Sequence, residues 1–323
     1  MLNVGIIRRT VRDRMGWDKV GVAVSVLIIA IASVVMFRLL RDVDLEKVAA
    51  ALRAMPIETM LTAGGFVVAG YASLTLYDFF SLRTIGRREV PYRVAAFAGF
   101  TSYAIGHNLG ATVFTAGAVR YRIYSAWGLG IVEIAKIAFV TGLTFWLGNA
   151  FILGISMALA PDAASAVNQL PPWVNQVIAF SGLAVIVGYL LWLLPAPRVI
   201  GRDNWQVTLP DASLTLVQIG IGILDLGFGA LAMYTLLPVT PSVDFLTVLV
   251  TFVMATLLGF LSHAPGSLGV LDATMLIGLA LFEKEELLAS LVIFRALYFV
   301  LPFCVATLML GAREIYLAVK ARN

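Results

Sequence analysis

The stretch Ser262-His263-Ala264-Pro265-Gly266-Ser267-Leu268-Gly269-Val270-Leu271-Asp272 lies in the middle of an apolar run from Val243 to Phe282. Proline lacks the amide proton that a helix needs, and glycine readily adopts left-handed backbone angles. Pro265 and Gly266 therefore predict a break in any helix here. Within a bilayer, such a break is tolerated only where protein or a wet cavity surrounds the backbone. The stretch thus predicts a broken helix inside a membrane protein.

A second stretch, Gly106-His107-Asn108-Leu109-Gly110-Ala111-Thr112, has the same order of a small residue, a histidine, a small or polar residue, any residue and a glycine. His107 and His263 are the only two histidines in the chain. Each either exchanges protons near neutral pH or caps a broken helix. Two broken segments in corresponding positions of two halves indicate a transporter-type binding site. The alternative is two ordinary glycine-rich kinks in which histidines occur by chance.

The composition is typical of a polytopic membrane protein. Of the 323 residues, 60% are apolar and only 13% are charged, whereas a soluble domain has about 25% charged residues. The net charge of +4 indicates cytoplasmic loops that face anionic lipid rather than a nucleic-acid partner. One cysteine excludes a disulfide framework, and two histidines far apart in sequence predict neither a metal site nor a cofactor.

We predict an all-α polytopic fold with about six full transmembrane helices and two broken or re-entrant helical hairpins. If the second hairpin crosses completely, the number of spans is eight. The full spans are Val20–Phe37, Ile57–Leu82, Ile131–Leu159, Trp173–Leu194, Ser213–Leu237 and Leu287–Leu310. The hairpins are Tyr92–Val119 and Val243–Phe282.

Three shorter segments connect these spans. The amphipathic segment Asp42–Met55 either lies on the outer membrane surface or is an ordinary helical linker. Residues Pro161–Pro172 form a predicted polar loop, and Arg198–Leu209 form a predicted β-hairpin.

Lysine and arginine concentrate in the segments that this arrangement assigns to the cytoplasm, as the positive-inside rule requires. Both termini are then cytoplasmic, and the two hairpins enter the membrane from opposite sides. The two halves therefore form an inverted pseudo-repeat. We divide the chain into residues 1–56 (basic segment, first span and linker), 57–311 (membrane domain) and 312–323 (basic cytoplasmic tail).

A hairpin whose second arm begins at mid-membrane exposes free amide protons, and helix N-termini bind phosphate or carboxylate groups. The residues after the two tips suit a headgroup that approaches the backbone: Gly110, Ala111 and Thr112, and Gly266, Ser267 and Leu268. Asn108 and Pro265, at the tips themselves, are further candidates for this site. Arg120 follows the first tip and can bind phosphate through two hydrogen bonds. The alternative is that the amides are capped internally and that the arginine lies at the lipid interface.

Ionised side chains within apolar spans are costly unless they are paired or hydrated, so they indicate function. Asp272 and Arg295 are candidates for a structural pair. Asp272 is also a candidate for binding a cationic headgroup. The same two alternatives apply to Asp78 and Asp225. No nucleophile elbow, P-loop or H-E-x-x-H motif occurs, so the sequence predicts neither an enzyme nor an ATP-driven mechanism.

Several motifs occur together between Ile57 and Gly311. They are Tyr77-Asp78, Asn108-Leu109-Gly110, Gly117-Ala118-Val119-Arg120-Tyr121-Arg122-Ile123-Tyr124, Ser125-Ala126-Trp127-Gly128-Leu129, His263-Ala264-Pro265-Gly266-Ser267-Leu268-Gly269-Val270, Arg295-Ala296-Leu297-Tyr298 and Pro302. This set resembles the N-terminal membrane domain of the bacterial multiple peptide resistance factor family, the lysylphosphatidylglycerol synthases.

The resemblance implies a lipid-handling domain. Members of that family join it to a cytosolic domain that aminoacylates phosphatidylglycerol, and the membrane domain moves the product between leaflets, which confers resistance to antimicrobial peptides. Matching positions are Asp78, Arg120, Pro265, Gly266 and Asp272. Ser267 stands where a second glycine is usual and Asp272 where a glutamate is usual, and no synthase domain follows up to Asn323.

We therefore expect a multi-pass protein of the bacterial inner membrane that acts as a lipid flippase, with a phospholipid such as aminoacylated phosphatidylglycerol as its substrate. One alternative is the non-catalytic platform of an aminoacyl-phosphatidylglycerol synthase, which requires a separate synthase protein as partner. Another is a transporter of small solutes or ions. The small-residue run Gly220–Gly229 permits close helix contact, either within one chain or in a homodimer.

Overall fold

The computed structural model describes residues 43–110, 112–195, 198–202 and 205–320. Within those ranges, six helices are long and apolar enough to cross a membrane: Ile57–Thr84, Ile131–Leu159, Pro172–Leu193, Ala212–Leu236, Phe245–Ser262 and Lys284–Leu317. The chain is thus an all-α polytopic membrane protein. The predicted first span, Val20–Phe37, lies outside the described residues.

The helices of the first half are α1 (Leu45–Ala54), α2 (Ile57–Thr84), α3 (Tyr92–Leu109), α4 (Thr112–Tyr124) and α5 (Ile131–Leu159). Between the halves lie α6 (Pro161–Asn168), α7 (Pro172–Leu193) and the antiparallel strands β1 (Val199–Arg202) and β2 (Trp205–Thr208). The second half contains α8 (Ala212–Leu236), α9 (Phe245–Ser262), α10 (Val270–Gly278), α11 (Lys284–Arg295) and α12 (Leu301–Lys320). A π-helical turn over Ala296–Val300 joins α11 to α12.

Five of the predicted spans and the predicted β-hairpin are confirmed, with bounds that differ by a few residues. The prediction of a polar loop over Pro161–Pro172 is wrong, because most of it forms helix α6. Proline at the first helical position is already set for helical angles. The side-chain Nδ2 of Asn175 donates to the Pro161 carbonyl (3.4 Å) and to the Ser165 hydroxyl (3.0 Å) and holds α6 against α7.

The predicted boundary at residue 311 does not coincide with the end of an element, since α12 continues to Lys320. The segment predicted as amphipathic is helix α1, which packs against α11. The Asp44 amide donates to Glu285 Oε1 at 3.3 Å, and Leu52 and Met55 contact the main core. The outer-surface location of α1 remains a prediction.

The two halves repeat one order of elements: a long helix, an 18-residue helix, a break, a short helix and a long final helix. Their leading helices, α2 and α8, pack against each other at Gly70, where an added Cβ would lie 3.5 Å from Phe228 Cβ. Helix α8 also crosses α5 where Gly148 faces Gly222. An added Cβ at Gly148 would lie only 2.5 Å from the Gly222 Cα. Small residues thus allow the helix backbones to meet closely.

The tips of the two hairpins meet each other. Gly110 has a φ of 75°, and an added Cβ there would lie 3.0 Å from the His263 carbonyl oxygen and 3.3 Å from the Pro265 nitrogen. The Asn108 side chain donates to the Phe299 carbonyl at 3.2 Å and so links the first tip to the π-helical turn. The two breaks that the sequence predicts therefore form one structural centre.

Candidate functional site

A cavity of about 120 Å³ lies between the first hairpin (α3 and α4) and helices α2, α5 and α9. Its wall is mainly apolar, and it includes a few polar side chains: Tyr77, Tyr103, His107, Thr112, Arg120, Thr141 and Thr256. Ligand sites typically combine an apolar wall with a few placed polar groups. We call this space the hairpin cavity.

The hairpin cavity lies next to exposed apolar side chains on the outer surface of the helices. Val113 of α4 and Trp146 of α5 both line it, and they are 63% and 44% exposed. Phe114, the neighbour of Val113, is 80% exposed. In a membrane protein, apolar side chains exposed on the outer surface are expected to face lipid, so we expect the cavity to adjoin the bilayer between α4 and α5.

A buried ion pair forms part of the same wall. Arg120 Nε donates to both carboxylate oxygens of Asp78, at 3.0 and 3.1 Å, and its Nη2 donates to Oδ1 at 2.7 Å. The Tyr124 hydroxyl donates to Asp78 Oδ2 at 2.8 Å. Asp78 is completely buried, whereas the Arg120 side chain is 11% exposed. Two-point pairing and a third hydrogen bond offset the cost of removing these charges from water.

A second ion pair fixes the return of the second hairpin. Arg295 Nε donates to Asp272 Oδ1 at 2.7 Å, and its Nη2 donates to Oδ2 at 2.5 Å. Its Nη1 donates to the Gly266 carbonyl at 3.0 Å, and Asp272 Oδ2 also accepts the Gly269 amide at 3.1 Å. Asp272 thus caps α10 and attaches it to the last span. These contacts match the structural alternative for the pair.

The structure differs from the expectation that free amides at the second tip face a ligand. The Ser267 amide donates to the Ala264 carbonyl at 3.0 Å, and the Leu268 amide donates to the Pro265 carbonyl at 3.1 Å. The tip forms a 3-10 turn over Pro265–Ser267, and the amides of Ser267 and Leu268 are bonded within the tip. The internal-capping alternative therefore describes this tip.

Asp225 lies near the hairpin cavity and is the least compensated of the site carboxylates. It is 2% exposed and accepts one hydrogen bond, from the Tyr77 hydroxyl at 3.2 Å. Its Oδ1 has no hydrogen-bond partner within the described residues. Tyr77 itself lines the cavity, so one side chain lies between the cavity and this carboxylate.

The two histidines have different environments although their sequence contexts are alike. His107 lines the cavity, with its ring 5.1 Å from Tyr103 and 5.2 Å from Phe299. His263 ends α9 in the left-handed conformation, with Nδ1 2.9 Å from the Leu261 carbonyl oxygen. Of the two, only His107 belongs to the cavity wall.

Of the predicted site residues, the structure thus brings His107 and Arg120 to the cavity, with Asp78 and Asp225 behind its wall. The other predicted site residues lie where the two tips meet or in the ion pair beside that point. They are Asn108, Gly110, His263, Pro265, Gly266, Ser267, Asp272 and Arg295. Sequence reasoning missed Tyr103, Thr141 and Trp146 as wall residues. For Thr141, the sequence offered one signal of a wall position, namely a polar residue within an apolar span.

No protein-family model matches the chain. The "Uncharacterized protein slr0712" of Synechocystis sp. is 31% identical over 258 residues, which cover 78% of this chain and 79% of that protein. The "Inner membrane protein YbhN" of Escherichia coli K12 is 28% identical over 294 residues, which cover 88% of this chain and 87% of that protein. The chain is a multi-pass inner-membrane protein, and it belongs to the family of the Synechocystis protein slr0712.

Proposed function

We propose that the protein translocates a phospholipid between the leaflets of the inner membrane and that the lipid headgroup occupies the hairpin cavity. The observation that carries this proposal is the position of the cavity. It has Arg120 in its wall and adjoins the bilayer between Val113 and Trp146. A lipid needs such a lateral opening because its acyl chains stay in the membrane while its headgroup crosses.

The charges at the cavity favour a headgroup that carries both signs. Arg120 is paired with Asp78, so the wall presents a neutral ion pair rather than a free cation. A phosphate can share the guanidinium, which has five N–H donors. The carboxylate of Asp225 lies behind Tyr77 and attracts an ammonium group. Aminoacylated phosphatidylglycerol combines these two charges.

The resemblance to the membrane domain of the multiple peptide resistance factor family supports the same substrate class. Asp78 and Arg120 are among the matching positions, and they form the ion pair at the cavity wall. Asp272 is another, and it binds Arg295 at the second tip. Under this proposal the first pair contacts the substrate, and the second pair holds the hairpins together.

The test fills the cavity without removing a charge. Gly142 of α5 lines the cavity, and an added Cβ there has no atom within 4 Å, so Gly142→Leu adds bulk to open space. In proteoliposomes with labelled phosphatidylglycerol and its lysyl ester, we expect leaflet exchange by the wild type and at least a tenfold slower rate for Gly142→Leu. The wild-type rates for the two labelled lipids indicate which lipid is preferred.

Gly188→Leu is the matched control, because Gly188 lies on α7 away from the cavity and an added Cβ there is also unobstructed. This variant should exchange lipid at the wild-type rate. Equal rates for the two variants would contradict the proposal. If correctly inserted wild-type protein shows no exchange above empty liposomes, the platform alternative is favoured and a bound synthase should be sought.

A second candidate function is the transport of a small cation. It is favoured by Asp225 Oδ1, which has no hydrogen-bond partner among the residues that the structure describes. Cation transport requires no lateral opening for acyl chains. It therefore predicts uptake of a labelled cation that Asp225→Asn abolishes, together with no lipid exchange. Lipid exchange that is lost in Gly142→Leu would exclude it as the main activity.

A further inference from the structure

A second cavity, of about 390 Å³, lies between the end of α2, the second turn of α5 and the β-hairpin. Its lining residues are Thr84, Ile85, Lys136, Val199, Gln206, Val207 and Thr208. Helix α5 begins at Ile131, and the positive-inside rule places this end on the cytoplasmic side. Lys136 lies about 8 Å along the helix from that end. The cavity is thus at headgroup depth, and we call it the hairpin-roofed site.

Lys136 is the cationic side chain among the residues that line this site. It forms no ion pair with any of the described residues. The acidic residue nearest to it along α5 is Glu133, which pairs with Arg87 and accepts the Gly130 amide at 2.8 Å. Among the residues that the structure describes, no carboxylate occupies the positive charge of Lys136, and we treat this charge as available to a ligand.

The roof of the site is anchored to the membrane domain. Val207 and Leu209 are buried, at 2% and 4% exposure. The Leu209 amide donates to the Arg198 carbonyl at 2.7 Å and closes the base of the β-hairpin. Arg198 stacks on Trp192 at 5.1 Å and donates to its carbonyl at 3.2 Å. Gln206 and Thr208 of β2 line the site beside Lys136 and supply neutral hydrogen-bonding groups.

We propose that the hairpin-roofed site binds an anionic phosphate group through Lys136, Gln206 and Thr208. A lysine ammonium is a compact charge with three donors and is a common phosphate ligand. The volume of the site suits a headgroup or a small phosphorylated solute. The site is lined by a different set of residues from the hairpin cavity, so it does not depend on the proposed translocation.

The test measures ligand binding to the purified full-length chain in a neutral detergent. Thermal stabilisation is recorded at constant ionic strength with inorganic phosphate in one arm and dioctanoyl phosphatidylglycerol in the other. A charge-assisted hydrogen bond contributes enough that Lys136→Gln should weaken binding about tenfold or more. Lys136→Arg keeps the positive charge, so this variant should retain most of the binding.

Arg88→Gln is the control, because Arg88 is an exposed cation that the positive-inside rule places on the same side and that does not line the site. Stabilisation that depends on Lys136 but not on Arg88 supports the site, and the responding arm identifies a soluble or a lipid source. If neither ligand stabilises the wild type, or if both variants lose stabilisation equally, the proposed phosphate site is wrong.

A second measurement uses the wild type and so does not depend on how the variants fold. An amine-acetylating reagent is applied, and modification of Lys136 is quantified by mass spectrometry. We expect phosphate or phosphatidylglycerol to protect Lys136 at least fivefold more than Lys47, which is in α1. Equal protection of the two lysines would count against the proposal.

Discussion

At the scale of single residues, the membrane domain depends on how each buried charge is compensated. Asp78 accepts hydrogen bonds from the Arg120 guanidinium at two points and from a tyrosine hydroxyl. Asp272 accepts them from the Arg295 guanidinium at two points and from a backbone amide. Asp225 accepts one hydrogen bond, from a tyrosine hydroxyl. A buried charge that loses its partner is strongly destabilising, whereas an exposed pair contributes little. The cost of removing an arginine therefore depends on its burial.

Two arginines on α4 allow a direct comparison. Arg120→Ala leaves Asp78 buried without its cation, and we expect a loss of about 3–5 kcal/mol in the free energy of unfolding. Arg122 pairs with Glu314 on the surface, with its side chain 64% exposed, so Arg122→Ala should cost less than about 1 kcal/mol. Unfolding of the detergent-solubilised protein would measure both.

The double variant Asp78→Asn/Arg120→Gln separates charge from packing. It removes both charges, so it should recover most of the stability that Arg120→Ala loses. If the double variant is as unstable as Arg120→Ala, the buried charge is not the cause of the loss.

The two helical hairpins are positioned by contact between their tips. Gly110 adopts φ 75° and ψ 179°, a region that is essentially restricted to glycine. Its close approach to the His263 carbonyl leaves no room for a side chain. The first tip thus requires glycine for its own backbone and for its neighbour.

Two alanine substitutions in the first hairpin should therefore have effects of opposite sign. Gly110→Ala should destabilise the protein by about 1–3 kcal/mol because it combines backbone strain with a clash. Gly117→Ala is in helix α4, where an added Cβ meets nothing within 4 Å, and should stabilise by about 0.5–1 kcal/mol. The unfolding midpoints of the two variants and the wild type measure both effects. If both substitutions shift the midpoint in the same direction, this explanation of the tip contact is wrong.

At the scale of the whole molecule, the arrangement of charges determines how the chain is inserted. The positive-inside rule places Arg88 in the cytoplasm and α6, which has no lysine or arginine, on the opposite side. The repeated order of elements in the two halves then has inverted orientation, and the hairpin tips approach each other from opposite sides.

Cysteine labelling tests this insertion. In a Cys304→Ser background, chosen because Cys304 is exposed, we expect a membrane-impermeant maleimide to label Ala166→Cys in intact spheroplasts. Arg88→Cys should react only after the membrane is permeabilised. Labelling of both positions from the same side would contradict the inverted topology.

The sequence alone determined the membrane class, five of the described spans, the β-hairpin and both helix breaks. These features depend on local properties: apolar run length, backbone angles open to glycine, and the amide that Pro265 lacks. Three outcomes could be seen only once the chain is folded: Asp78 binds Arg120, 42 residues away, the tips meet, and Lys136 lines a second cavity. Those outcomes depend on where helices cross, as at Gly148 and Gly222, and a crossing is set by packing between distant segments rather than by either segment alone.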